Sequence, residues 1–153
     1  MSRALLAVAC ALSGAFGLWA SLFVHVVWVF GIKGGYLNGG FFPLTPSVPV
    51  TLAGLALQSV LVAAPFVPPA LLIGLMAGRR PWGLPLMALV WALLWFIGAD
   101  SVAGLFAADF GTTWQVGEPF SELFYRPGLT PLAFCAGFFL FLWLAQRVLK
   151  PRT

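Results

Sequence analysis

Charge is what this chain has least of. Only 8% of its 153 residues are Asp, Glu, Lys or Arg, where a soluble domain carries about 25%. Apolar residues make up 61%, and a soluble domain of this length has too much surface per unit volume to hide them. Lipid as solvent removes that difficulty. Histidine occurs once and cysteine twice, so the chain alone lacks the ligand clusters that a protein-bound metal needs. No strand pattern, glycine-rich phosphate loop or G-x-S-x-G nucleophile elbow is present. The net charge of +4 does not point to nucleic acid, because the basic residues sit at the ends of apolar runs and form no basic face.

What is there is apolar length. The sequence reads as an all-α integral membrane protein, a single transmembrane domain over residues 1–153. Its four helices are expected at about 4–32, 48–78, 84–108 and 131–149, joined on the outer side by loops 33–47 and 109–130. Each run reaches about the 20 residues that cross ~30 Å of hydrocarbon. Arg3 and the box Ala7-Val8-Ala9-Cys10 imitate a lipoprotein signal. Too few apolar residues precede that box, and the apolar run continues far beyond it, so the first segment is expected to be retained. Pro85 and Thr130-Pro131 suit helix starts, because proline at a first helical position loses no hydrogen bond and threonine caps well.

Orientation follows from the cations. With the N-terminus inside, Arg3, Arg79, Arg80, Arg147, Lys150 and Arg152 face the cytoplasm, and only Lys33 and Arg126 face out. That bias places both termini in the cytoplasm. Abundant alanine and glycine, arginine in excess over lysine, and no transit peptide ahead of the first span point to a bacterial plasma membrane. Cys10 and Cys135 then lie toward opposite sides, beyond the ~7 Å Cα reach of a disulfide. Both read as buried packing residues.

Three polar residues stand inside spans, where ionisable groups are functional candidates by default. His25, Gln58 and Asp100 each fall roughly 10–12 Å below the outer end of their segments, so one slab of the outer half holds all three. Cys10, Gly14, Gly17, Ser21 and His25 recur at spacings of 4, 3, 4 and 4 on one helix face, a stripe of small residues that permits close helix approach. Asp100 shares its face with Ala103, Gly104 and Ala107. The expectation is that Asp100 accepts a hydrogen bond from His25, with Gln58 near them.

Segment two carries Pro65, Pro68 and Pro69. Each removes a backbone donor and crowds the preceding turn, so this helix is expected to be kinked or broken there. Trp91 and Trp95, at i and i+4, fall near mid-membrane and read as fillers of a helix or subunit interface. Phe120, Leu123 and Phe124 form a short amphipathic turn after Pro119, suited to the outer leaflet or to a partner, and Tyr36, Phe41 and Phe42 resemble it in the first loop.

These features rank two functions. The first is a non-catalytic accessory subunit of a larger membrane assembly, docking through helix faces and aromatic loops, with Trp91, Trp95, Phe120 and Phe124 as contacts. Its partners are the bilayer and other membrane subunits. The alternative is a small-solute or proton-translocating unit built on His25, Gln58 and Asp100. No cofactor is expected on this reading. Haem or a chlorophyll-type pigment on His25 is a further alternative, and haem would draw its second axial ligand from a partner chain.

Overall fold

The computed structural model describes residues 2–33, 51–77, 80–107 and 113–149. Among these no strand occurs. Four helices are long and apolar enough to cross a membrane: Arg3–Phe30, Leu52–Ala77, Gly83–Ala107 and Leu129–Val148. They match the four expected segments closely. The first loop's Tyr36, Phe41 and Phe42 lie outside the described residues, as do Arg79, Lys150 and Arg152.

Helix α1 covers Arg3–Val26 and continues as a π-helical stretch, Val27–Lys33. Ser2 starts it, its hydroxyl accepting the Leu5 N–H at 3.3 Å, which satisfies one of the donors a helix start leaves free. Thr51 does the same for α2 (Leu52–Ala63), accepting from Gly54 N at 3.0 Å. Next come a 3-10 turn at Ala64–Phe66 and helix α3, Val67–Ala77. The chain is helical throughout Leu52–Ala77, and the α-helix is interrupted by the 3-10 turn at the prolines where a kink or break is expected. Pro65 sits inside the 3-10 turn, and Pro68 and Pro69 fall in the first turn of α3. A first-turn N–H has no intrahelical acceptor, so both prolines are accommodated without losing a bond. Helix α4 is Gly83–Ala107 and helix α5 is Leu129–Leu149.

α1 is the hub, touching α2, α3, α4 and α5. Its small-residue stripe is buried as expected, Cys10, Gly14, Gly17, Ser21 and His25 included. Gly14 receives the Phe66 ring. Gly17 and Gly137 face each other where α1 crosses α5, and a Cβ on Gly17 would lie 3.0 Å from the Gly137 carbonyl oxygen. In lipid the hydrophobic effect gives helices no reason to associate, so backbone approach and side-chain interdigitation supply the attraction. A fully buried layer of Leu18, Leu22, Phe66, Trp91, Trp95 and Phe141 fills the space between the helices. Outward faces are apolar as well, with Leu12, Leu61, Leu89, Phe139 and Trp143 all exposed.

Cys10 and Cys135 are both free thiols. Cys10 is buried as a packing residue, whereas Cys135 is exposed. The expectation of burial at Cys135 is corrected: α5 turns that face away from α1, which it meets through Gly137 and Phe141.

Candidate functional site

Two side-chain knots tie α1 to its neighbours, one turn apart. In the first, Trp95 Nε1 donates to Ser21 Oγ at 2.9 Å, and Ser21 Oγ donates to the Ala133 carbonyl at 2.6 Å. One hydroxyl thus joins α4, α1 and α5. In the second, His25 Nε2 lies 2.9 Å from Thr130 Oγ1, which also accepts the Arg126 N–H at 2.8 Å. A third tie is Trp91 Nε1 donating to the Gly14 carbonyl at 3.0 Å. Antiparallel register makes this possible, since Gly17 meets Gly137, Ser21 meets Ala133 and His25 meets Thr130 along one seam.

His25 is fully buried. The Phe124 ring meets its imidazole edge to face at 4.3 Å, and Trp95 lies nearly parallel to it at 6.5 Å. Phe124 belongs to the π-helical turn Phe120–Phe124. That turn packs against α4, held by the Phe120 N–H donating to Asp100 Oδ1 at 3.2 Å. A carboxyl group accepting a backbone N–H at the start of a helical turn is a favourable arrangement.

Gly98 of α4 abuts both Leu22 of α1 and Val62 of α2, and His25, Gln58 and Val102 follow about one helical turn further along those helices. The expected His25–Asp100 hydrogen bond does not form. Thr130 takes His25 Nε2, and the Phe120 backbone takes Asp100 Oδ1. Both groups meet an element that follows α4 in the chain, which a comparison of helix depths alone does not include. Two enclosed polar atoms have no hydrogen-bond partner among the described residues: His25 Nδ1 and Gln58 Oε1.

Three of the expected partner contacts are corrected. Trp91, Trp95 and Phe124 are each fully buried within this chain, so none of them offers surface to another subunit. Their indoles find acceptors on α1, and Phe124 finds His25. Phe120 is half-buried, against Trp95 and Phe96.

No protein family, curated protein or solved structure matches the chain. The site's chemistry rests on its own geometry. Among the described residues no group of three or more His, Cys, Asp and Glu comes together to hold a metal. Thr130 was read from the sequence only as a helix cap. In the structure it lies within the first turn of α5, and its hydroxyl serves Arg126 and His25. Its place at the outer start of the fourth segment set it above the depth expected of His25, so sequence depth gave no signal for the pair. Ser21 was read as one small residue in a stripe, and its second role as a three-helix joint depends on where Trp95 falls.

Proposed function

We propose that this chain is a four-helix bundle of the bacterial plasma membrane, with both termini cytoplasmic, serving as a structural subunit of a larger membrane assembly. One observation carries the reading. The polar side chains within the spans are largely spent on joining its own helices, through Trp95–Ser21–Ala133, His25–Thr130 and Trp91–Gly14, while the outward faces are apolar. A scaffold cross-tied in this way holds its shape and offers flat apolar faces to lipid or to neighbouring helices. Docking falls to such residues as Phe16, Leu93, Phe96 and Phe139, which are exposed, and no longer to the buried tryptophans.

Purification in mild detergent tests it. Other membrane chains are expected at fixed stoichiometry with this one, and a particle containing this chain alone would overturn the subunit reading. A small-solute or proton-handling role is the second reading, favoured by the unpartnered His25 Nδ1 and Gln58 Oε1. Haem or a pigment on His25 is less well supported, because such a group would have to displace Thr130 from Nε2 and Phe124 from the ring. The same detergent sample, scanned for visible absorption, checks that point.

A further inference from the structure

The imidazole of His25 is the chain's single histidine, and one of its nitrogens is unaccounted for. Nε2 shares a hydrogen bond with Thr130 Oγ1, which also accepts the Arg126 N–H. A hydroxyl oxygen can accept twice and donate once, so Thr130 suits either tautomer of the ring. Nδ1 is enclosed and meets no partner among the described residues. A buried polar atom left unpaired, as lone pair or as N–H, is costly and calls for an explanation.

What covers His25 differs from the rest of its surroundings. Its other neighbours stand on long helices, but Phe124 stands on a five-residue turn. That turn is bounded by two glycines in the left-handed region, Gly117 at φ 83° and Gly128 at φ 82°. Neither glycine has a neighbour within 4 Å of where a Cβ would be. From there to Arg126, the side-chain hydrogen bonds that tie the segment to a spanning helix are Phe120 to Asp100 and Arg126 to Thr130. With so few hydrogen-bond ties and glycines at both ends, the turn is held down chiefly by its own aromatic rings, Phe124 packing on Phe30, Trp95 and His25.

We propose that the Phe120–Phe124 turn is a lid over His25, and that its opening admits a small uncharged hydrogen-bonding molecule to Nδ1. An uncharged ligand is specified because the walls against the ring are Phe124 and Trp95, which would strip an ion of water. The charge of Arg126, exposed and joined to the ring only through Thr130, opposes a cation and offsets that cost for an anion only in part. The proposal deepens the solute-handling reading. Its readout is reaction at His25, which neither transport nor partner assembly enters, so the two fail separately.

Diethyl pyrocarbonate, a small uncharged carbonyl reagent, modifies imidazole. With one histidine in the chain, the modified His25 peptide, quantified by mass spectrometry, reports that site apart from amines, phenols and thiols. Bromoacetate supplies a small charged reagent for comparison, and both rates are referred to N-acetylhistidine. The purified wild-type protein is expected to react slowly with diethyl pyrocarbonate and more slowly still, relative to the reference, with bromoacetate. Asp100→Ala, which removes the tie, and Phe124→Ala, which removes the cover, are expected to raise the diethyl pyrocarbonate rate by roughly tenfold or more. Preference for the uncharged reagent is expected to persist in both variants. That persistence separates an opened lid from an unfolded chain, in which both reagents react at the reference rate. The milder Phe120→Ala repeats the test if either variant fails to fold. Lid variants that react no faster than wild type would overturn the proposal, and so would a wild-type rate equal to that of the free amino acid.

Discussion

Replacing Ser21 by alanine removes a side chain that three helices use at once. Its hydroxyl accepts from Trp95 Nε1 at 2.9 Å and donates to the Ala133 carbonyl at 2.6 Å, and it is only 6% exposed. The Ala133 carbonyl lies in the body of α5 and keeps its intrahelical bond, so little is lost there. The Trp95 N–H is different: the indole is fully buried, and without Ser21 its donor faces hydrocarbon. An interhelical hydrogen bond within a membrane is worth about 0.6 kcal/mol on average and at most about 1.7 kcal/mol, while an unpaired buried donor costs about 1–3 kcal/mol. Ser21→Ala is therefore expected to destabilise the protein by about 1–2 kcal/mol. Trp95→Phe removes the donor and leaves Ser21 free to keep its bond to Ala133, so in that background Ser21→Ala forfeits only the smaller part. The double variant is expected to fall short of additivity by about 0.5–1.5 kcal/mol. Reversible unfolding in mixed micelles, followed by far-ultraviolet circular dichroism, measures all four corners of the cycle. Losses that add within about 0.3 kcal/mol would refute the shared-hydroxyl joint.

Other predictions use the same assay. Gly74→Ala places a Cβ 2.8 Å from Ala7 Cα, a backbone atom, and is expected to cost about 1–3 kcal/mol through overpacking. Gly104→Ala meets nothing within 4 Å and is expected to be neutral or to stabilise by up to about 1 kcal/mol; equal effects at the two glycines would contradict the packing. Thr130→Val strips His25 Nε2 and the Arg126 N–H of their partner and is expected to cost about 1–3 kcal/mol. In a 15N-labelled sample the same variant should move the single imidazole signal, and an unmoved signal would break the His25–Thr130 assignment. Gln58→Leu removes the unpartnered Oε1 and is expected to be neutral or slightly stabilising, within about 1 kcal/mol; a loss above that would mean the amide carbonyl is paired after all.

The spans were legible because hydropathy reports solvent directly, and all four helices lie within a few residues of the expected segments. Burial of the Gly14–Gly17–Ser21 stripe was legible too, since only small residues let backbones come this close. What each face would meet was not. An i, i+4 pair such as Trp91 and Trp95 marks a face without naming its neighbour, and both indoles turned out to reach α1 within the same chain. The turn at Phe120–Phe124 was recognisably amphipathic, but its docking on His25 and Asp100 depends on how the connection between Ala107 and Leu129 folds back. The prolines of segment two marked where the helix changes type but not how. Their crowding of the preceding turn is real, and a 3-10 turn absorbs it without leaving the helix.

The central claim is a chain that crosses the membrane four times with both ends in the cytoplasm. Single cysteines at Ser2, Arg80 and Gln115, each in a background with Cys10 and Cys135 changed to serine, test it when intact cells meet a membrane-impermeant maleimide. Position 115 is predicted to label at once, and positions 2 and 80 only after the cells are permeabilised. Labelling of positions 2 and 115 from the same side would contradict the account.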